Sequence, residues 1–297
     1  MTADASMPLA RGWRRLRIIL EMIKFEHTVF ALPFALMAAL LAAGGLPPLR
    51  SLFWILVAMV SARSSAMAFN RLVDAAFDAR NPRTATRALP AGQLTPAQVW
   101  VFVLATTALF LVAAWQLNSL SLALSPVALA VIWGYSFTKR FTQFCHVVLG
   151  LAIGIAPSAA WIAVRGTLDW APVVLTAAVM LWVGGFDVIY ACQDVEFDRK
   201  QGLRSLPAWL GVAGALWASR AMHLAAVLLL LCLPGLAPLG AVYYAGVAVV
   251  AALLAYEQSL VRPHDLSKVN AAFFTVNGFV SIGLLLFSAA DIFLRRG

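Results

Sequence analysis

The chain has 297 residues, of which 62% are hydrophobic and only 12% are charged, and its formal net charge is +9. Soluble domains are about 25% charged, so this composition excludes an ordinary soluble enzyme. A nucleic-acid-binding role for the positive charge is also excluded, because there is no basic soluble domain to carry it. The composition is typical of a polytopic membrane protein.

Nine apolar stretches each approach the length of about 20 residues that a helix needs to cross a bilayer. Their length and their richness in Leu, Ala and Val favour helices, since transmembrane strands are only about 10 residues long and alternate in polarity. We expect an all-α membrane protein with one domain over residues 1–297, preceded by a basic segment at 1–27. The predicted spans are 28–46, 51–69, 98–116, 119–136, 144–164, 170–190, 211–233, 236–256 and 270–293.

Lys and Arg are distributed unequally between the two sets of connections. With the N-terminus placed in the cytoplasm, sixteen lie on that side and four on the other, while Arg63 and Arg220 lie within spans. This positive-inside bias predicts a cytoplasmic N-terminus. Together with attraction to anionic lipid, it accounts for most of the excess positive charge.

The second predicted span ends in a polar motif, Asn70, Asp74 and Asp78, spaced four residues apart. On a helix this spacing places the three side chains along one face. Arg63 lies two helical turns before Asn70 and points down the same face. A charge within an apolar span is costly, so Arg63 is a functional candidate. The long connection that follows, roughly 70–97, is polar and contains Arg83.

The fourth predicted span ends in Tyr135, Lys139 and Arg140, with the phenol one helical turn before the ammonium group. A cation here suits a diphosphate or an aromatic acid. The alternative is an interfacial tyrosine followed by ordinary positive-inside residues. The acidic motifs on the same side of the membrane favour the functional interpretation.

The sixth predicted span ends in a second acidic motif with the same spacing, Tyr190, Asp194 and Asp198. The chain therefore resembles a weak internal repeat, with one motif in each half. Asp187 lies within the span, three residues before Tyr190. Two alternatives remain open for Arg63: it anchors a substrate carboxylate deep in the bundle, or it pairs with Asp187.

The two motifs together predict a metal site. Four carboxylates around one small volume repel each other unless cations lie between them. Oxygen ligands suit Mg²⁺, which commonly bridges protein carboxylates to substrate phosphates. We therefore expect diphosphate chemistry at the membrane surface, under two partly helical connections at 70–97 and 191–210. The expected counter-charges for the diphosphate are Arg83, Arg87, Lys139 and Lys200.

The histidines and cysteines do not suggest a second site. His146 and His223 have no His, Cys or Glu at ligand spacing, so we expect structural roles for both. The three cysteines form no CxxC pair and are expected to be buried apolar residues.

At these motifs the chain resembles the UbiA superfamily of intramembrane prenyltransferases, in its 4-hydroxybenzoate polyprenyltransferase branch. Residues 63–78 are similar to the family's first motif, 83–92 to the arginine-rich stretch after it, 135–140 to its Y-x-x-x-K-R and 187–198 to its second motif. The resemblance covers nearly the whole chain. One departure is Ala75, which stands where the family often has Arg.

The resemblance implies a nine-helix bundle in the bacterial inner membrane, with two Asp-rich loops forming a cytoplasmic cap. It also implies transfer of a polyprenyl group from polyprenyl diphosphate to a ring carbon of a small aromatic acid, in ubiquinone or menaquinone biosynthesis. Two Mg²⁺ ions would be held by Asn70, Asp74, Asp78, Asp194 and Asp198. The diphosphate would be bound by Arg71, Arg80, Arg83, Arg87, Lys139 and Lys200, with Arg71 or Arg80 supplying the phosphate contact that an alanine at position 75 cannot make.

For the aromatic acceptor, the resemblance implies contacts with Arg63, Tyr135 and Arg140. Asp187 or Tyr190 would orient the phenol or accept a proton, next to Asp194. Residues 25–28 and 191–198 look like a bacterial subgroup with members linked to futalosine-derived menaquinone. The acceptor therefore remains open between 4-hydroxybenzoate and 1,4-dihydroxy-6-naphthoate.

A secondary transporter is a distant alternative, because repeats and intramembrane charges occur there too. Its binding groups should lie near the bilayer midplane, whereas the acidic groups here cluster at span ends.

Overall fold

The computed structural model of the protein describes Trp13, residues 17–23 and residues 31–295. Within that part of the chain the regular structure is helical, apart from an isolated bridge between Arg262 and Asp265. The α-helices from residue 31 onward are α1 (Leu32–Ala43), α2 (Leu49–Arg80), α3 (Pro96–Leu117), α4 (Ser119–Thr138), α5 (Cys145–Arg165), α6 (Trp170–Ala191), α7 (Val195–Lys200), α8 (Leu206–Cys232), α9 (Ala241–Ser259) and α10 (Asn277–Leu294).

Eight helical segments among the described residues are long and apolar enough to cross a bilayer, so the chain is an integral membrane protein. They correspond to the second to ninth predicted spans. The helix of the first predicted span, α1, has only 12 residues, or about 18 Å, which is less than the roughly 30 Å of a hydrocarbon core. Part of that predicted span, residues 28–30, lies outside the described residues.

Two helix ends illustrate how local sequence sets the boundaries. Thr95 begins α3 with a reciprocal capping box, in which its hydroxyl accepts from the Gln98 N–H and the Gln98 side chain accepts from the Thr95 N–H. The helix α1 ends at Ala43 and is capped by Gly44, whose φ of 60° lies in the left-handed region that favours glycine.

Helices α5 and α6 pack with their backbones in contact. A Cβ atom added at Gly150 would lie 2.1 Å from the Met180 carbonyl oxygen, and one added at Gly154 would lie 2.9 Å from that of Thr176. Small residues four apart allow such an approach, which packs membrane helices without a hydrophobic driving force. Because His146 lies four residues before Gly150, it shares the face of α5 that meets α6.

The connections that carry the predicted site lie at one end of the bundle. The Arg204 backbone N–H donates to the Lys139 carbonyl at 2.7 Å, which joins the connection after α4 to the one before α8. The loop after α9 reaches the same end, since Val261 packs with Ile189 and Leu206 in one buried cluster. Residues from both halves of the chain therefore meet at a single surface.

Candidate active site

The first acidic motif lies on one uninterrupted helix, α2, as its spacing predicts. Asp74 and Asp78 are buried although they are acidic, and each has a basic partner. The Lys139 ammonium lies 2.6 Å from Asp74 Oδ2, and Arg87 Nη1 lies 2.7 and 2.8 Å from the two Asp78 oxygens. Asn70 Nδ2 donates to Asp74 Oδ2 at 3.2 Å. Burial of the carboxylates is therefore offset by cations from two later segments.

The second motif differs from the prediction of a single helical face. Helix α6 ends at Ala191, a 3₁₀ turn covers Cys192–Asp194, and α7 begins at Val195. The break separates the surroundings of the two aspartates. Asp194 accepts from Arg83 Nε at 3.0 Å and also pairs with Arg83 Nη2, whereas Asp198 accepts from the Ser205 hydroxyl at 2.8 Å.

The two motifs meet through the segment that follows α2. Asn81 Nδ2 donates to Asp194 Oδ1 at 3.2 Å, and Arg83 Nη1 donates to the Tyr190 hydroxyl at 3.1 Å. Burial lowers the pKa of the Arg83 guanidinium, but the hydrogen bond and charge of Asp194 outweigh it and raise the pKa above its usual value. Arg83 therefore stays charged and is a fixed cation between the halves of the site.

The donor atoms fit magnesium in kind. They are carboxylate and amide oxygens, and Asp74 Oδ1 is buried without a hydrogen-bond partner among the described residues. Arg140 Nη2 lies 3.9 Å from this oxygen, beyond hydrogen-bond distance, so the oxygen keeps lone pairs that a metal cation can use. In the described part of the chain, however, no three His, Cys, Asp or Glu side chains already converge on one point. Asp74 instead pairs with Lys139 and Arg140, Asp78 pairs with Arg87, and Asp194 pairs with Arg83.

The other basic residues predicted to contact diphosphate lie in different surroundings. Arg71 Nε donates to the Met22 carbonyl at 3.3 Å, and Arg80 Nη1 donates to Gln201 at 3.3 Å. Lys200 is exposed, with no ion pair to any described residue. The structure therefore pairs Arg83, Arg87, Lys139 and Arg140 with the carboxylates, whereas Arg71 forms no ion pair with any described residue.

A cavity of about 480 Å³ begins beside the acidic motifs and runs into the membrane-spanning bundle. It continues along α4 from Tyr135 to Ser121, about 21 Å at 1.5 Å per residue. Leu, Ile, Val and Ala side chains of α2, α4 and α5 form most of its wall. Val127 lines it and is 59% exposed. The polar residues at the end of the cavity nearest the acidic motifs are Arg63, Asn70, Tyr135, Asp187 and Tyr190.

The structure excludes the predicted alternative in which Arg63 pairs with Asp187. Both line the cavity, but Asp187 Oδ2 lies 2.7 Å from His146 Nδ1 instead. Arg63 Nε is buried without a hydrogen-bond partner among the described residues. This side chain is therefore the one cavity cation in the described chain that still has an unpaired buried donor.

Arg140 does not line the cavity, although the sequence predicts it beside Arg63 and Tyr135 as an acceptor contact. Its Nη2 donates to the Val73 carbonyl at 2.8 Å, and its guanidinium packs over the Phe77 and Phe137 rings. The reason is geometric: Arg140 follows the end of α4, and its Nη2 lies 3.9 Å from Asp74 Oδ1, beside the first acidic motif and not beside Arg63.

Sequence reasoning missed His146. It lies in the first turn of α5, is 3% exposed, and contacts Asp187 directly. The available signal was its position four and eight residues before Gly150 and Gly154, which indicates the face of α5 that meets another helix. The intramembrane charge that it meets, Asp187, lies on a different span.

Arg220 and His223, for which the sequence suggests no role in the site, have structural partners. Arg220 stacks over the Trp217 ring at 4.7 Å, on the outer face of α8. His223 is buried, with Nε2 bonded to the Trp182 carbonyl and Nδ1 to Gln258. Neither residue lines the cavity.

Comparisons with known proteins agree with this geometry. The chain is 34% identical over 259 residues to a 4-hydroxybenzoate octaprenyltransferase of Aeromonas salmonicida, covering 84% of this chain and 88% of the relative. A solved structure of a UbiA homolog from Aeropyrum pernix K1 superposes with a TM-score of 0.77 at 33% identity, over 92% of this chain and 99% of that one.

A more distant structure shares the fold. It is a UbiA homolog from Archaeoglobus fulgidus bound to DMAPP and Mg²⁺, 19% identical, with a TM-score of 0.69 over 93% of this chain and 99% of that one. The sequence profile of the UbiA prenyltransferase family matches residues 31–281. That match covers most of the chain, including both acidic motifs and the cavity. The chain therefore belongs to the UbiA prenyltransferase family.

Proposed function

We propose that this protein transfers a polyprenyl group from polyprenyl diphosphate to a ring carbon of 4-hydroxybenzoate, as a step in quinone biosynthesis. The observation that carries the proposal is one cavity that is polar at one end and apolar along the rest of its length. The end nearest the acidic motifs adjoins paired acidic and basic side chains, and the rest of the cavity is lined by apolar residues within the bundle. The relative from Aeromonas salmonicida is named for this activity.

The proposed ion ligands are the polar residues of the two motifs. The orphan oxygen of Asp74 and the all-oxygen donor set support Mg²⁺ at this position. Bound Mg²⁺ neutralises the charge that grows on the diphosphate as its bond to the prenyl carbon breaks. Two ions fit the two motifs, with the ligands Asn70, Asp74, Asp78, Asp194 and Asp198.

The cations near the carboxylates form the proposed diphosphate site. Arg83, Arg87 and Lys139 are already fixed by their aspartates, so little side-chain entropy is lost when an anion binds. Arg80 and Lys200 lie at the rim, where they attract the anion without holding it in one geometry. Arg71, which contacts the Met22 backbone, acts by supporting this end of α2.

The proposed acceptor site lies around Arg63 and Tyr135. A guanidinium with an unpaired buried donor is suited to a carboxylate, because the carboxylate supplies the hydrogen bond that the protein does not. The phenol of Tyr135 lines the cavity nearby, and Asn70 marks its junction with the diphosphate site. An aromatic acid held by Arg63 would therefore have its ring between the carboxylate anchor and the reacting prenyl carbon.

The chemical step is proposed as an electrophilic aromatic substitution. The bond between prenyl C1 and the diphosphate oxygen breaks, and the ring carbon beside the hydroxyl forms a bond to C1. Asp187 and Tyr190 line the cavity at this point. Asp187 is the proposed proton acceptor, and Tyr190, fixed by Arg83, orients the reacting groups. Asp194 contributes by holding the guanidinium of Arg83 in place.

The apolar wall has two roles in this proposal. It holds the isoprenoid tail, and it keeps water away from an allylic cation that water would otherwise trap. A cavity of about 21 Å, at 1.5 Å per residue of α4, holds only part of a long polyprenyl chain. An opening of the cavity beside the exposed Val127 would let the remainder lie among lipid tails.

The proposed architecture is one domain over residues 1–297 with nine transmembrane helices, of which the first includes α1. The connections at 81–95 and 192–205 form a cap over the diphosphate site. The positive-inside bias supports a bacterial inner-membrane location with this cap in the cytoplasm.

The test uses membranes that contain the full chain, a prenyl diphosphate and either 4-hydroxybenzoate or 1,4-dihydroxy-6-naphthoate. Mass spectrometry should detect the acceptor plus one prenyl group minus one hydrogen, and the preferred acceptor resolves the choice between them. EDTA should stop the reaction and added Mg²⁺ should restore it. Absence of product with both acceptors, or full turnover in EDTA, would refute the proposal.

A matched pair of variants tests the acidic site. Asp74→Asn should lower turnover by roughly 100-fold or more, because it removes a charge from both the metal and the Lys139 contacts. Asp265→Asn changes an exposed aspartate of the 260–270 loop and should leave turnover unchanged. Equal activity in the two variants would contradict the assignment.

A further inference from the structure

His146 is a buried residue that contacts a residue of the proposed reaction, Asp187. Its Nδ1 lies 2.7 Å from Asp187 Oδ2, and the Leu206 backbone N–H lies 3.4 Å from its Nε2. A backbone N–H can only donate, so in this geometry Nε2 accepts and the ring hydrogen lies on Nδ1. His146 therefore donates to Asp187.

This bond fixes one oxygen of a carboxylate that lines the cavity. Asp187 Oδ2 is occupied by the imidazole, whereas Oδ1 has no hydrogen-bond partner among the described residues. The Asp187 side chain is 21% exposed, and the cavity is the space beside it. A carboxylate with one oxygen tied to the protein presents its other oxygen to a molecule in the cavity in a defined orientation.

The imidazole is itself held on both sides. Leu206 is the first residue of α8, where the backbone N–H groups have no partner within the helix. The neighbouring Ser205 donates to Asp198 at 2.8 Å. Ser205 therefore contacts the second acidic motif, and the next residue, Leu206, contacts the ring that orients Asp187.

We propose that His146 is a positioning residue, which holds Asp187 so that its Oδ1 accepts the proton of the acceptor's phenolic hydroxyl. The inference rests on the proposed function. As the ring carbon bonds to prenyl C1 and the diphosphate departs, the hydroxyl proton moves to Asp187 Oδ1 and a cyclohexadienone forms. The ring C–H proton is then lost to the diphosphate or to water, and Asp187 returns its proton to the oxygen. The net change is one ring hydrogen replaced by a prenyl group, with one proton released.

Variants of His146 distinguish the effect of losing the hydrogen bond to Asp187 from the effect of losing the volume of the ring. His146→Ala removes the bond and should lower kcat by roughly 10- to 100-fold, while the KM for prenyl diphosphate changes less than about twofold. His146→Asn places an amide N–H close to the position of Nδ1 and should recover most of kcat. In the Asp187→Asn background, His146→Ala should cause no further loss, because the group that it positions is gone.

His223→Ala is the matched control. His223 is equally buried, at 3%, and hydrogen-bonded at both nitrogens, but its partners are Trp182 and Gln258 and not Asp187. It should lower the apparent Tm without the kcat loss of His146→Ala. All variants are compared at temperatures below their own unfolding.

The outcomes distinguish this inference from the proposed function. An inactive wild type with both acceptors refutes the proposed function. An active wild type together with a folded His146→Ala variant whose kcat is within about twofold of it refutes only the role of His146. If His146→Ala does not fold, a folded His146→Asn variant that retains kcat supports the inference, and one that loses kcat by roughly 10-fold or more overturns it.

Discussion

The contact between α5 and α6 leaves no room for an added methyl group at Gly150. Gly150→Ala would place a Cβ atom 2.1 Å from the Met180 carbonyl oxygen, which belongs to the α6 backbone and cannot rotate away. Ordinary carbon–oxygen contact requires more than about 3 Å, so the two helices must separate by about 1 Å.

The expected free-energy change combines two opposing effects. Overpacking a close contact costs about 1–3 kcal/mol. Alanine in a helix interior is more favourable than glycine by about 0.5–1 kcal/mol. The net destabilisation is about 1–2 kcal/mol, which should lower the apparent Tm by several degrees.

Gly283→Ala is the matched control, because Gly283 lies in α10 and a Cβ atom there meets nothing within 4 Å. Only the gain in helix propensity remains, so the apparent Tm should stay the same or rise slightly. Tryptophan fluorescence of the purified protein in detergent measures both, since Trp161 and Trp182 are buried. If Gly150→Ala is as stable as the wild type, the inferred backbone contact is wrong.

Two further substitutions test separate parts of the structure. Arg63→Lys should raise the KM for the aromatic acid about tenfold and leave that for prenyl diphosphate unchanged, because lysine lacks the planar fork that binds a carboxylate; an equal rise in both KM values would contradict the assignment. Asp291→Asn should destabilise the fold by about 2–3 kcal/mol, since the buried carboxylate accepts from the backbone N–H groups at Gly240, Val242 and Tyr243. The apparent Tm reports that destabilisation, and an unchanged Tm would show that these bonds contribute little.

The spans could be predicted because membrane insertion depends on local hydrophobicity and length, both of which can be read along the chain. The eight helical segments long enough to cross a membrane match predicted spans two to nine. The spacing of Asn70, Asp74 and Asp78 also predicted one helical face correctly, since α2 continues to Arg80. The same reasoning failed at the second motif, because the chain turns from α6 into α7 at Cys192–Asp194.

The contacts of individual charges could not be predicted in the same way. Arg63 and Asp187 are on separate spans. The spacing of residues along one span does not indicate which residues of different spans lie close together. The glycines of α5 bring that helix close to α6, so His146 and not Arg63 reaches Asp187. Arg140 was predicted to contact the acceptor by its nearness to Tyr135 in sequence, but it follows the end of α4 and lies beside Val73 and Asp74 of α2.

The sequence by itself determined that the chain is a helical membrane protein, which residues are acidic or basic at the span ends, and on which side of the membrane they are expected. These properties depend on composition and on neighbours within a few helical turns. Only the tertiary structure decided that Arg83 joins Asp194, that Arg63 keeps an unpaired donor in the cavity and that His146 contacts Asp187. The physical reason is that each of these depends on the distance and rotation between helices, which are set by side-chain volume across the whole bundle.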